Sequence, residues 1–339
     1  MTITKSLHRE SINILNRSSQ SITRLLWLAL ILVLTTSVFI GRYRVDLSQL
    51  FSNTDPLFWQ LFLRVRVPRV LLALLAGSGL AVSGLVTQTI FRNPLADSGI
   101  MGISQGAGFG AALGILLFSG QLLWVQVSSF LFSLIALALT ISLSLRIGQE
   151  KILSLVLAGI AVSALFSSGL GVIKYLADPL NQLPSIVFWL LGSLSRSNWE
   201  IFLRSSIFIL PLLLLFFAYR WRLNIHALDK KISFSLGMKS SKETYLILSA
   251  AVLLTAVIIS VTGIVSWVGL IIPNFARIVF GSDTKSTTIN TILLGGIFMI
   301  ICDTLARSVL PGEIPLGIFT ALIGSGLFII LLLRRKIQT

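Results

Sequence analysis

The sequence predicts an all-α polytopic membrane protein with ten transmembrane helices. Of its 339 residues, 55% are hydrophobic and 12% are charged, and the mean hydropathy is +0.93. Soluble domains carry about 25% charged residues, so lipid is the expected solvent for most of the chain. The formal net charge of +15 comes from basic residues between long apolar runs, which is typical of topology signals and argues against nucleic-acid binding.

The first half of the chain contains five predicted spans. Each uncharged run is long enough for a ~30 Å hydrocarbon core, and one is long enough for two helices that turn at residues 119–121. The runs are Leu25–Gly41, Val70–Phe91, Ser98–Leu145 and Ile152–Ile173. Residues 1–21 are polar and lack a small-residue cleavage site, which predicts a cytoplasmic tail before an uncleaved first helix. The transmembrane domain is expected over residues 22–336.

The second half contains four full spans and one short apolar segment. The spans are residues 198–219, the first part of 244–276, 286–307 and 314–333. Both ends of the chain are basic, so both are expected in the cytoplasm, which requires an even number of crossings. Residues 268–281, which contain Pro273, are therefore predicted to cross as a broken helix packed inside protein.

Small residues recur every four positions on two predicted helices. They are Gly102, Gly106, Gly110 and Gly114 on the third helix, and Gly159, Ser163, Ser167 and Gly171 on the fifth. This spacing lets membrane helices approach closely. On the fifth helix it is also compatible with a passage lined by Ser163 and Ser167, and the sequence leaves both interpretations open.

Chemically reactive residues are scarce. His8 and His226 are the only histidines, Cys302 lies within an apolar run, and the phosphate-binding pattern GxxxxGK[ST] is absent. No metal site or catalytic constellation is expected. The sequence instead indicates a transport pathway that is powered by another protein. Asp303, four residues before Arg307, leaves an ion-coupled secondary carrier as an alternative. A membrane scaffold or sensor is the third possibility.

The longest cytoplasmic loop, residues 220–243, predicts a short amphipathic helix. Leu228, Ile232 and Leu236 recur at four-residue spacing, and Gly237 offers a helix stop. Ser240 and Glu243 resemble a capping box that opens the next helix. The loop could be solvated, could lie on lipid headgroups, or could dock into a partner protein.

Six stretches in order resemble the FecCD-type permease subunits of ABC importers for ferric siderophores, haem and vitamin B12. They are RVPRVLLALLAGSGLAVSGLVTQTIFRNPLADSGIMGISQGAGFGA (66–111), LAGIAVSALFSSG (157–169), ADPLNQLPSIVFWLLGSLS (177–195), ALDKKISFSLGM (227–238), GIVSWVGLIIPNFARIVFGSD (263–283) and DTLARSVLPGEIPLGIFTALIG (303–324). The resemblance implies a type II ABC importer bundle of ten helices in a bacterial plasma (inner) membrane. It also implies a second permease subunit, as homo- or heterodimer, two ATP-binding subunits that hold ATP and Mg²⁺, and an external substrate-binding protein. No cofactor or enzymatic activity is expected in this chain.

The resemblance also assigns roles to single residues. Arg66, Arg69 and Arg307 match arginines that face outward and pair with glutamates of the binding protein, which would explain a basic cluster on the outer side; Arg64 has no counterpart. Residues 227–238 match the segment that couples to the ATPase, with Lys230, Lys231, Leu236 and Gly237 as expected contacts. The fifth helix would line the path with Ser163 and Ser167. Gln105 and Asn274 depart from the family pattern and are expected to tune the path. Ferric siderophore is the expected cargo, with haem or cobalamin as alternatives.

Overall fold

The structure is a computed structural model that describes residues 2–41, 59–147, 151–228, 230–236 and 242–336. Within these ranges every regular element of secondary structure is a helix, and non-helical segments join the helices. Six helices form the first half: α1 (Thr2–Phe39), α2 (Val67–Phe91), α3 (Ile103–Leu117), α4 (Leu122–Ile147), α5 (Lys151–Leu176) and α6 (Gln182–Leu190). Six form the second: α7 (Trp199–Ala227), α8 (Lys230–Ser235), α9 (Lys242–Thr262), α10 (Val268–Phe280), α11 (Thr284–Ser308) and α12 (Leu316–Lys336).

Ten of these helices match the ten predicted crossings. In the described part of the chain, eight are long and apolar enough to span a membrane, and α3 and α10 are apolar but shorter. The turn between α3 and α4 falls at residues 118–121, where it was predicted. Helix α1 begins at Thr2, so the polar tail continues the first span without a break.

The bundle has two ends that the candidate sites define. The C-termini of α1 and α11 meet the N-terminus of α2 at one end, here called the arginine end. Helix α8 and residues 92–97 lie at the opposite end, here called the loop end. With ten crossings, α1 begins and α12 finishes at the loop end, as the predicted even parity requires.

Helix α2 is the central element of the bundle, with 22 of its 25 residues buried. Its glycines allow this packing, since a Cβ on Gly77 would overlap the backbone of Gly295, and one on Gly84 would overlap the backbone of Gly269. The Ser83 hydroxyl lies 2.7 Å from the Ala251 carbonyl oxygen and donates to it. Helices α9, α10 and α11 thus pack directly on α2, as small residues permit in lipid.

The two predicted stripes of small residues have different environments. On α3, Gly106 and Gly110 face the backbone of α4 too closely for a side chain, so this stripe serves packing. On α5, Gly159 packs against the Ile100 carbonyl, whereas a Cβ on Gly171 would meet nothing within 4 Å. The far half of the α5 stripe therefore lies on an open surface of the chain.

The short crossing consists of a non-helical stretch followed by a helix. Gly263–Trp267 runs without helix from the arginine end into the bundle, and α10 completes the crossing. Its 13 residues span about 20 Å, less than the hydrocarbon core. Trp267 adopts a φ of +74°, and its ring packs at 5.9 Å from the Phe328 ring. Residues 268–281 thus complete the predicted crossing, but the break lies before residue 268 and not at Pro273, since α10 is continuous through this proline.

Candidate functional site

The stretch RVRVPR lies at the junction of a π-helical turn and α2. Leu61–Arg66 forms the π-helical turn, and the Val67 N–H donates to the Phe62 carbonyl five residues back. Pro68 follows in the first turn of α2, where its missing N–H costs nothing. This local geometry turns Arg66 and Arg69 inward, since both are more than nine-tenths buried, while Arg64 remains exposed.

Arg69 is shared between two carboxylates. Its Nε donates to both oxygens of Asp303 at 3.0 and 3.1 Å, and its Nη2 donates to Oδ1 at 2.9 Å. Its Nη1 donates to Glu313 Oε1 at 2.9 Å. The Asp303 side chain is 1% exposed and the Glu313 side chain is 31% exposed. Arg69 therefore ties α2 to α11 and to the segment that connects α11 with α12.

Arg66 and Arg307 bind the C-terminal turn of α1. Arg66 Nη1 donates to the carbonyls of Val38 and Phe39 at 3.1 and 2.9 Å. Arg307 donates to the carbonyl and the hydroxyl of Ser37, the latter at 2.8 Å. Cations at a helix C-terminus also offset its dipole. Both arginines thus complete hydrogen bonds that the last turn of α1 leaves open.

The three arginines predicted to dock a partner form one cluster with Asp303 at its centre. Arg307 Nε lies 3.4 Å from Asp303 Oδ2, which is the predicted i,i+4 pair. The bond from Arg69 to Asp303 and the role of Glu313 were missed by the sequence analysis. Because both Asp303 oxygens accept from Arg69, this carboxylate is engaged in the manner of a structural ion pair, which disfavours its use as an ion-coupling site.

A cavity of about 510 Å³ opens at the arginine end. Its wall includes Glu313 and Pro315 from the α11–α12 segment and Arg196 from the segment after α6. The other lining residues are mostly hydroxylated or apolar, and they include Ser185, Ser193, Ser195, Thr262, Phe188 and Trp189. Its volume lies within the ~300–1,000 Å³ of small-molecule pockets.

At the loop end, α8 presents an apolar surface. Leu228, Ile232 and Leu236 are 39%, 49% and 56% exposed, respectively. The Ser233 hydroxyl donates to the Ile225 carbonyl at 2.7 Å and fixes α8 against the end of α7. The predicted short amphipathic helix is therefore present. Of the other predicted contacts, Lys230 and Lys231 lie in α8 without described side chains, and Gly237 lies outside the described residues.

Two polar contacts brace the 92–97 segment beside this loop. The Arg92 guanidinium donates to the Leu228 carbonyl, which joins the end of α2 to the residue that follows α7, just before α8. The Asn274 amide donates to the Pro94 and Leu270 carbonyls, at 2.7 Å each. Asn274 is thus buried as a tie between α10 and this segment.

Asp97 lies at the end of the same segment, with Oδ1 against Gly269. Burial raises the pKa of the Asp97 carboxyl, although hydrogen bonds from Ser98 and Gly99 partly offset the shift. This carboxylate was not singled out by the sequence analysis, because an aspartate in a loop carries no signal of burial.

The remaining predicted path residues are spread over the chain. On α5, Ser163 is half-buried and Ser167 is exposed, and on α3, Gln105 is half-buried. Ser163 and Ser167 share the open side of α5, and Asn274 is not brought to them.

Among the described residues no group of three or more His, Cys, Asp or Glu could hold a metal ion. Cys302 is free and buried, as predicted.

The profile of the FecCD transport family matches residues 28–334. The chain belongs to this family. It is 39% identical to the molybdate import system permease protein MolB of Haemophilus influenzae, over 91% of this chain and 95% of that one. It is 36% identical to a probable iron chelatin transport system permease protein of Helicobacter pylori, over 81% and 83%. Further FecCD relatives are named for hemin and for cobalamin.

The fold agrees with this membership. A solved structure described as an inward-facing conformation of a metal-chelate type ABC transporter superposes with a TM-score of 0.86 at 38% sequence identity. The match covers 93% of this chain and 99% of that one. This FecCD chain is therefore a multi-pass permease subunit of an ABC importer.

Proposed function

We propose that this FecCD permease moves a metal chelate, most specifically a ferric siderophore, across a bacterial plasma membrane. The observation that carries the proposal is the family match over residues 28–334. An external binding protein delivers the chelate at the arginine end, and two ATP-binding subunits act at the loop end. The chain itself supplies the pathway and the two docking surfaces.

The arginine cluster supports docking of a negatively charged partner. Three guanidinium groups converge where α1, α2 and α11 meet, and charge complementarity speeds encounter and fixes register between proteins. All three guanidinium groups are more than nine-tenths buried and hydrogen-bonded within the chain, so a partner meets fixed groups rather than three mobile side chains.

The loop end supports docking of an ATPase. Ile232 and Leu236 are about half exposed on a short helix, outside the long apolar helices that cross the bilayer. A helix that lays apolar residues into a groove of its partner is a recurring mode of recognition. The Ser233 hydroxyl binds α8 to the Ile225 and Leu228 carbonyls at the end of α7, and Arg92 binds Leu228 to α2. A movement imposed on α8 therefore acts on the bundle.

The open side of α5 supports a second permease subunit. Ser167 and Gly171 lie there without packing against the rest of the chain. Two such subunits facing each other form a passage lined by small polar groups, including Ser163. ATP closes the ATPase pair, the α8 helices move, and the two α5 helices reorient.

Both termini are proposed to be cytoplasmic. The even number of crossings brings them to the loop end, and both ends are rich in Lys and Arg, which favours the cytoplasmic side. The arginine end then faces outward, toward a binding protein.

The size of the outer cavity favours a chelate as cargo. About 510 Å³ exceeds what a single tetrahedral oxyanion needs and suits an organic ligand. Molybdate is the second candidate, because the relative at 39% identity is named for it. Haem and cobalamin follow from more distant relatives.

The test is uptake by cells that lack this chain and carry either wild type or Arg66→Glu/Arg69→Glu. The panel contains labelled ferric siderophores, molybdate, haem and cobalamin. Arg64→Glu is the matched control, since Arg64 lies in the same stretch and is exposed. Uptake of a ferric siderophore that wild type and Arg64→Glu restore, and the double variant loses at equal membrane level, supports the proposal. Uptake of molybdate alone would move the assignment to an oxyanion importer.

A further inference from the structure

Arg69 has two carboxylate partners that differ in how firmly they are held. Asp303 is a buried residue of α11, and both of its carboxylate oxygens accept from Arg69. Glu313 comes from the segment between α11 and α12 and uses one oxygen only. Its side chain is 31% exposed, against 1% for Asp303.

This difference makes Glu313 the exchangeable partner. A partly exposed ion pair adds little free energy, because solvent screens both charges. Breaking the buried pair with Asp303 would leave an uncompensated charge inside the protein. Any third carboxylate that approaches Arg69 from outside therefore competes with Glu313 and leaves Asp303 in place.

Glu313 also belongs to the wall of the outer cavity. The following residues Ile314 and Pro315 line the same cavity. The segment has two backbone bonds of its own: the Ile314 N–H donates to the Ala306 carbonyl of α11 at 3.1 Å, and the Leu316 N–H donates to the Gly192 carbonyl at 2.9 Å. The Arg69–Glu313 bond is the contact that ties this wall of the cavity to α2.

We propose that Glu313 is an internal competitor for docking at Arg69. A carboxylate of the external binding protein replaces Glu313 on Arg69 Nη1, and the freed Glu313 side chain leaves the wall of the cavity, while the Ile314 N–H stays bonded to α11. The exchange keeps one carboxylate on Nη1 throughout, so no buried charge is left unpaired. Docking and opening of the outer cavity become one event. This inference rests on the proposed function, because its partner is the binding protein of the importer.

The first experiment measures ATP hydrolysis by the complete importer in proteoliposomes, with its own binding protein added outside at graded concentrations. Glu313→Gln removes the competitor, and half-maximal stimulation is expected at about threefold lower binding-protein concentration, the size of a partly exposed ion pair. Glu200→Gln is the matched control, since the Glu200–Arg204 pair is exposed and does not touch Arg69. An unchanged or higher half-maximal concentration for Glu313→Gln overturns the inference.

A second readout follows the cavity wall directly. Ile314→Cys is labelled from outside with a membrane-impermeant maleimide, and the native Cys302 is fully buried. Labelling is expected to accelerate when the binding protein docks, and to be fast in Glu313→Gln without it. Docking that leaves the labelling rate unchanged contradicts the exchange. If the binding protein stimulates neither wild type nor variant, the docking assignment of the proposed function fails as well, and this result is distinct from the others.

Discussion

The Arg69 guanidinium binds both carboxylate oxygens of Asp303, across 234 residues of sequence and between helices α2 and α11. The pair lies in the interior of the chain, where neither group is solvated. An ion pair in this position fixes how two helices meet, and the loss of one partner is much more harmful than its net contribution to stability.

Asp303→Asn is expected to lower the free energy of unfolding by about 3–5 kcal/mol, because Arg69 and Arg307 lose their shared partner. Glu200→Gln, at an exposed pair, is expected to change it by less than about 1 kcal/mol. Thermal unfolding of the purified permease in detergent measures both. Equal shifts in the two variants would mean that the buried pair is not a determinant of stability.

Gly84→Ala is expected to destabilise the protein by about 1–3 kcal/mol through overpacking, because its methyl group would overlap the Gly269 carbonyl. Gly326→Ala serves as the control, since a Cβ there meets nothing within 4 Å and alanine favours the helix. The quantity of folded protein in membranes and its midpoint of thermal unfolding report the difference. A tolerated alanine at residue 84 would show that α2 and α10 can move apart.

Ile232→Asp and Leu236→Asp are expected to abolish binding of the ATPase subunits while the permease stays in the membrane, because a charge on the apolar side of α8 cannot enter a groove. Co-purification of the ATPase measures the effect. Leu180→Asp is the control, as Leu180 is 85% exposed in the turn between α5 and α6. Retained ATPase in both α8 variants would exclude this surface as the coupling site.

Asp97→Asn is expected to stabilise the protein more at pH 8 than at pH 5. Burial raises the pKa of the Asp97 carboxyl in the folded state, so the folded state holds its proton at pH values where the unfolded chain, with a pKa of about 3.9, has lost it. The stability of wild type therefore falls as pH rises above the unfolded pKa, and asparagine removes this loss. The midpoint of thermal unfolding at both pH values tests the sign. A larger stabilisation by Asp97→Asn at pH 5 than at pH 8 would contradict a raised pKa.

A photo-crosslinking amino acid at Ser167 is expected to capture the second permease subunit, because this residue is exposed on the open side of α5. The same group at Leu214 on α7, which is 66% exposed, is the control. Mass spectrometry of the product distinguishes a second copy of this chain from a related one. A product at Leu214 and none at Ser167 would place the subunit interface elsewhere.

Much of the fold could be predicted because lipid imposes a simple rule on sequence. A full crossing needs a long apolar run, so nine crossings and the turn at residues 119–121 could be predicted directly from the apolar runs. The tenth, short crossing was predicted from parity, and the structure shows why its helix is short, since Gly263–Trp267 is non-helical before α10 begins.

The candidate sites were only partly predictable, because their geometry depends on contacts between distant parts of the chain. Arg69 and Arg307 were singled out, yet the bonds from Arg69 to Asp303 and Glu313 join residues more than 230 positions apart. The polar amide of Asn274 was predicted to tune the path, and it binds the Pro94 carbonyl instead. No local pattern distinguishes a side chain that lines a passage from one that ties two backbones together.

Helix α2 connects the arginine end of the bundle to the loop end, across the whole thickness of the membrane. Arg69 in its first turn binds α11, and Arg92 directly after its last turn binds the Leu228 carbonyl between α7 and α8. The two residues are separated by about 35 Å of α-helix, nearly all of it enclosed by other helices. A rod confined in this way has no freedom to bend at its middle. A tilt at one surface of the membrane must therefore reappear as a tilt at the other, and the chain carries its own lever between the two compartments.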